Sequence, residues 1–142
     1  MFLGTYEPRL DDKGRLILPA KFRDQMAGGI VITPGQDRCL YGYPMATFEE
    51  IVAGIQTAST TSKPNRDFIR VFLSGANDEI PDKQGRVTIT PKLRRYAGLE
   101  RELAVVGAGG RVEIWDLGAW NTYLAANEQS FADISEEVVP GF

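Results

Sequence analysis

The chain says one thing twice. The passage "DDKGRLILPAKFR" at residues 11–23 returns as "DKQGRVTITPKLR" at residues 82–94. A shift of 71 residues lays Asp11 on Asp82, Gly14 on Gly85, Arg15 on Arg86 and Leu18 on Ile89. The same shift lays Lys21 on Lys92, Phe22 on Leu93 and Arg23 on Arg94; one residue further out of step, Tyr43 meets Trp115 and Phe48 meets Trp120. A match over about forty residues that includes charged and apolar positions together marks a duplicated unit. Each unit of about fifty residues is too small to bury a core by itself. The two are therefore expected to pack on each other around a pseudo-twofold axis.

Each unit reads as short strands with short helices, an α+β chain that is mainly β. An extended segment, "TYEPRL" or "GANDEI", enters a turn centred on Gly14 or Gly85, where glycine adopts positive φ without steric cost. A strand leaves the turn. In "RVTIT", Val87 and Ile89 alternate with Arg86, Thr88 and Thr90, so Arg86 points away from the apolar face, as Arg15 does from Leu16 and Leu18. Thr90 and Pro91 give an N-cap and a first helical residue, with Gly98 at the end; Pro19 and Gly28-Gly29 play these parts in the first copy. A hairpin follows in each unit, "IVITP…RCLYGY" and "ELAVVGAGGRVEIW", the second turning at Gly109-Gly110. Helices over about 45–57 and 117–129 close the units. Between them "TASTTSKPN" reads as a loop and "RDFIRVFLSG" as an amphipathic helix. The expected divisions are a first unit at 1–57, a linking loop and helix at 58–75, a second unit at 76–130, and an acidic tail at 131–142 that frays.

Composition narrows the chemistry. With 43% hydrophobic and 25% charged residues, the 142-residue chain has a globular profile. No apolar run reaches membrane-spanning length and the N-terminus has no secretory pattern, so a cytoplasmic setting is expected. The one cysteine, Cys39, reads as a small apolar filler. Histidine is absent, which removes the commonest general base and metal ligand. No catalytic residue, metal site or cofactor is expected. "GAGGR" at 107–111 lacks the Lys-Ser/Thr and helix of a phosphate loop and reads as a hairpin turn. The pairs Glu49-Glu50, Glu136-Glu137 and Asp11-Asp12 read as solvated charge.

The net charge of −3 conceals an asymmetry. Residues 9–23 and 82–95 together hold ten of the sixteen Lys and Arg residues against three Asp, a local surplus of +7. From Val112 onward there are six acidic residues and no basic one. Local positive potential governs attraction to a polyanion. In the D-x-x-x-R pattern the arginine fork suits phosphate or a guanine edge, and an aspartate four residues earlier can hold it in one rotamer.

The doubled signature, together with "YAGL", "VVG" and "EIWD", closely resembles the MraZ family from Met1 to about Leu124. The resemblance implies a bacterial transcriptional regulator built from two SpoVT-AbrB swapped-hairpin units, an intramolecular pseudo-dimer of double-psi-like barrel type. It also implies a ring-like homo-oligomer, associated with the nucleoid, that binds duplex DNA at repeats in the promoter of the division and cell wall gene cluster. No membrane and no small-molecule substrate enter this picture. The family's DNA-contacting surface carries over to Lys13, Arg15, Lys83 and Arg86, supported by Asp11, Gly14, Asp82 and Gly85. The copies differ at the loop tip, where Asp12-Lys13 stand in the place of Lys83-Gln84. Two other readings stay open. AbrB-type antitoxins share the unit, although a second complete unit here replaces a toxin-wrapping tail. A structural assembly protein could use its basic loops to bridge subunits.

Overall fold

The computed structural model describes residues 1–141. The first unit contains β1 (Thr5–Tyr6), β2 (Arg15–Ile17), α1 (Ala20–Arg23), β3 (Ile30–Pro34), β4 (Leu40–Pro44) and α2 (Met45–Ile55). Helix α3 (Lys63–Ser74) links the units. The second contains β5 (Asn77–Glu79), β6 (Arg86–Thr88), α4 (Pro91–Tyr96), β7 (Leu103–Gly107), β8 (Val112–Asp116) and α5 (Leu117–Asp133). The α+β class holds, and helix outweighs strand because α2, α3 and α5 are longer than any strand. No helix among the described residues is long and apolar enough to cross a membrane.

Local chemistry sets the helix ends. The Thr90 hydroxyl accepts from the Leu93 N–H at 3.3 Å with Pro91 in the first turn, as the sequence predicts; Pro19 offers α1 no side-chain cap. Ser62 caps α3 by accepting from the Asn65 N–H at 3.4 Å, so the helix begins inside the segment read as a loop through residue 65. Asp116 caps α5 by accepting from the Ala119 N–H at 3.2 Å. This helix continues to Asp133, past the unit boundary read at residue 130. After Gly118 in the first turn no glycine or proline interrupts it, and the Gln129 amide donates to Asp133 one turn on at 2.7 Å. Residues 134–141 have no regular structure and are exposed.

The units interlock. All strand pairs are antiparallel, and the six-stranded sheet runs β1-β7-β8-β4-β3-β5. Exchanging each strand for its repeat equivalent reverses this order onto itself, so the pseudo-twofold axis passes between β8 and β4. Strand β1 of the first unit pairs with β7 of the second, and β5 of the second pairs with β3 of the first. A separate ribbon pairs β2 with β6, with Leu16 opposite Val87 across the same axis. Both residues are 1% exposed, and burial of each contributes about 2 kcal/mol.

Between sheet and ribbon lies one core drawn from both units. It contains Leu16, Leu18, Phe22, Met26, Ile30, Ile32 and Leu40 with Val87, Ile89, Leu93, Leu103, Val105, Val112 and Ile114. Phe2 and Tyr6 meet the Phe22 ring edge-on, each with centroids 5.2 Å away. A smaller cluster, Cys39, Ala104 and Trp115, packs with Leu117 and Trp120 of α5. At the axis in the sheet Tyr41 stands opposite Glu113. Arg111 lies over the Tyr41 ring at 4.0 Å and donates to Glu113 at 2.8 Å, while the Trp115 indole donates to the other Glu113 oxygen at 3.2 Å.

Candidate nucleic-acid interface

Each repeated loop is closed by its aspartate. In the first, Asp11 Oδ1 accepts from the Lys13 and Arg15 backbone N–H groups at 2.9 and 2.8 Å, and Oδ2 accepts from Arg15 Nε at 2.8 Å. In the second, Asp82 Oδ1 accepts from the Gln84 and Arg86 N–H groups at 2.9 Å each, and Oδ2 accepts from Arg86 Nε at 2.7 Å. The backbone closes in parallel, with Gly14 N–H donating to Asp11 O at 3.0 Å and Gly85 N–H to Asp82 O at 2.9 Å. These contacts fix the tip register: Gln84 takes the place of Lys13, and Lys83 that of Asp12. Lys13 and Lys83 are both exposed, one position apart in the repeat. Asp12 lies 3.5 Å from Arg101 of the second unit, a pairing that Lys83 does not reproduce.

The clamp leaves the useful part of each arginine free. Only Nε engages the aspartate; among the described residues neither terminal nitrogen of Arg15 or Arg86 donates to protein. The backbone N–H of Arg15, joined by its guanidinium and the Lys13 N–H, holds the Asp11 carboxyl below its ordinary value against the opposing effect of lost hydration. Asp82 is lowered in the same way by Arg86 and Gln84. A carboxylate depressed on folding stabilises the folded loop above the ordinary aspartate value, and that contribution drains away as pH falls through the depressed value. At neutral pH both clamps are therefore ionised.

The unit exchange adds a second pair of arginines. Gly14 and Gly85 have φ of +76° and +78°, which the turn requires, and both are buried although they sit in loops. What covers each is the helix arginine of the other unit. A Cβ on Gly14 would lie 1.5 Å from Arg94 Nη1, and one on Gly85 would lie 2.6 Å from Arg23 Nε. Each covering arginine is tethered to its own unit, Arg23 Nε donating to Leu18 O at 3.0 Å and Arg94 Nη1 to Ile89 O at 3.2 Å. Ladder bonds lock the exchange: Leu18 N–H donates to Gly85 O and Ile89 N–H to Gly14 O, each at 2.8 Å.

The result is an arginine of the other unit against each turn, Arg94 at Gly14 next to Arg15 and Arg23 at Gly85 next to Arg86, the two arrangements being equivalent in the repeat. Asp11 and Asp82 meet Arg15 and Arg86 across the turn as the D-x-x-x-R spacing predicts, and Gly14 and Gly85 form the turns at positive φ. Arg23 and Arg94 are absent from the candidates read off the sequence. Their signal was their strict repetition in step with the loops; the contact itself crosses between units. Such a surface offers fork-shaped, fixed donors to an anionic ligand.

The two halves of the chain, residues 1–71 and 72–140, each match the family model described as "MraZ protein, putative antitoxin-like". The chain is 64% identical over 141 residues to the "Transcriptional regulator MraZ" of Clavibacter michiganensis subsp. michiganensis, a match covering 99% of each chain. It is 62% identical to the protein of that name from Kineococcus radiotolerans and 58% identical to that from Leifsonia xyli subsp. xyli, again over 141 residues and 99% of each chain.

Proposed function

The chain belongs to the MraZ family, and from that premise we propose that it is a non-enzymatic transcriptional regulator that grips duplex DNA with its two D-x-x-x-R loops. Arg15 and Arg86 contact guanine edges or phosphates, Lys13 and Lys83 add phosphate contacts at the loop tips, and Asp11, Gly14, Asp82 and Gly85 hold the loops in shape. Its targets are repeats in the promoter of the division and cell wall gene cluster, which places it in the cytoplasm at the nucleoid.

The observation that carries this reading is the pair of clamped arginines. Two guanidinium groups are each held at Nε with the terminal nitrogens free among the described residues, and the glycine turn next to each is covered by an arginine from the other unit. A pair of salt bridges serving only to staple hairpins has no need of the additional Arg23 and Arg94.

Self-association into a ring-like homo-oligomer completes the reading. Large apolar side chains are exposed away from the loops, with Phe68 and Val71 on α3 and Phe131 and Ile134 near the end of α5 being 51% to 72% exposed. An assembled protein would present several small basic surfaces at once, and repeats of matching spacing would then raise avidity by orders of magnitude.

The test is a gel-shift titration on the chain's own upstream DNA beside a scrambled duplex of equal length, at several salt concentrations. Tighter binding to the upstream duplex and a steep loss with salt are expected, because each phosphate contact releases counterions. Arg15→Ala with Arg86→Ala should weaken binding by more than about tenfold while leaving the sizing profile unchanged. Equal affinity for both duplexes would refute a regulator of this kind. Disassembly of the double variant would instead favour loops that bridge subunits.

A further inference from the structure

The outward face of the β2–β6 ribbon carries four side chains, and they are not symmetric. Leu16 and Val87 point into the core, so their neighbours point out. Arg15 stands opposite Thr88, and Ile17 stands opposite Arg86. Residues 17 and 88 are equivalent in the repeat, each lying across the ribbon from the other unit's clamped arginine. One is isoleucine and the other threonine. Ile17 is 48% exposed, an aliphatic side chain set among cations on an otherwise polar face. Thr88 is half-buried, and its backbone N–H donates to the carboxylate of Glu79; the first unit has Pro8 at the position equivalent to Glu79. The two halves of the ribbon thus differ in polarity while sharing the same arginine geometry.

Resting on the reading of the loops as DNA-binding, we propose that Ile17 is a specificity-determining residue that packs on the C5-methyl group of a thymine beside the base gripped by Arg86. The surplus of positive charge around it selects a polyanion as the occupant of this face. In the major groove the one apolar group that a duplex presents is the thymine methyl. Ile17 is β-branched and sits in a strand, so its methyl groups are held in one rotamer beside the arginine rather than searching for a contact. Thr88, at the equivalent place beside Arg15, is less exposed and offers a hydroxyl with a single methyl group, a smaller and more polar surface than Ile17. The two arginines consequently read different neighbours, and the chain distinguishes the two directions along a duplex.

The experiment substitutes uracil for each thymine in turn in the upstream duplex, which deletes the methyl group and leaves base pairing intact. Wild-type protein should bind about fourfold more weakly when the contacted thymine is replaced, the loss of one buried methyl group. Ile17→Ser, which removes every side-chain methyl group, should erase that difference while melting within a few degrees of the wild type, since Ile17 lies outside the core cluster. Uniform wild-type affinity across all uracil duplexes would overturn the proposal, as would an Ile17→Ser variant that keeps the uracil penalty. Arg15→Ala with Arg86→Ala, tested on the unmodified duplex, separates the two levels: undiminished binding there refutes the loop reading itself, whereas its loss alongside uracil-insensitive wild-type binding refutes Ile17 alone.

Discussion

At the scale of the residue, Asp11 and Asp82 separate two effects that simple electrostatics would merge. Replacing an aspartate on a DNA-facing loop by asparagine adds positive charge to the surface and by long-range attraction alone should tighten binding. The same change removes the ionic hold on Arg15 Nε or Arg86 Nε, which fixes the guanidinium before DNA arrives. Preorganisation is the larger effect for a fork that must meet a base edge at a defined angle. Asp11→Asn with Asp82→Asn is therefore expected to weaken binding severalfold despite the gain in charge, as measured by anisotropy at fixed salt. Gly14→Ala tests the second arginine pair. Its positive φ makes any side chain unfavourable by about 1 kcal/mol, and the new methyl group displaces Arg94. A urea melt should show that modest loss, and DNA affinity should fall further than the stability change explains. The aspartate clamp and the glycine turn were legible in the sequence because each is decided within five residues. The contact of Arg94 with Gly14 was not, because it depends on which unit supplies which helix.

At the scale of the element, the two copies show how the same part is built with different chemistry. Helix α4 has a threonine cap and a proline in its first turn; α1 has Pro19 ahead of it and no side-chain cap, and it is correspondingly shorter. Thr90→Ala removes the acceptor for the Leu93 N–H and should destabilise the fold by about 1 kcal/mol in chemical denaturation. Since α4 carries Arg94, the same variant should also lower DNA affinity slightly, whereas Pro19→Ala should have the smaller effect on stability. The capping signals of α4 were readable from Thr90-Pro91. The ends of α3 and α5 were harder, since Lys63 and the polar residues after Asn127 favour helix and coil almost equally and neighbouring turns decide the outcome. Cys39 matches its reading as core filler: burial pushes its thiol up to about 12, and its Sγ lies 3.3 Å from Gln36 O.

At the scale of the whole molecule, the exchange of strands makes the two units one cooperative body. The repeat alone predicts two halves in contact, and interlocking was implied by family resemblance. No local pattern in the sequence records that Thr5 pairs with Val106 or that Ile30 pairs with Glu79, because such pairings are chosen by the global fit of strands. Unfolding either unit strips an edge strand from the other, so a single transition is expected. Ile32→Ala in the first unit should cost about 3 kcal/mol. The fluorescence of Trp115 and Trp120, both in the second unit, should shift by the same amount as the far-ultraviolet circular dichroism. Two separated transitions, with the tryptophans reporting only the later one, would show that the units fold independently.

The meeting of Tyr41 with Glu113 on the axis has a consequence for how such a chain can evolve. In an assembly of two identical chains, a residue on the symmetry axis faces its own copy, so Glu113 would face a second carboxylate at close range, an unfavourable pairing in a sheet. Fusion of the halves lifts that rule. Once each side of the axis is encoded separately, a tyrosine can stand against a glutamate, with Arg111 held over the ring and bound to the acid. The same licence extends outward from the axis to Ile17 and Thr88. Covalent linkage has turned a self-matching object into one with a front and a back.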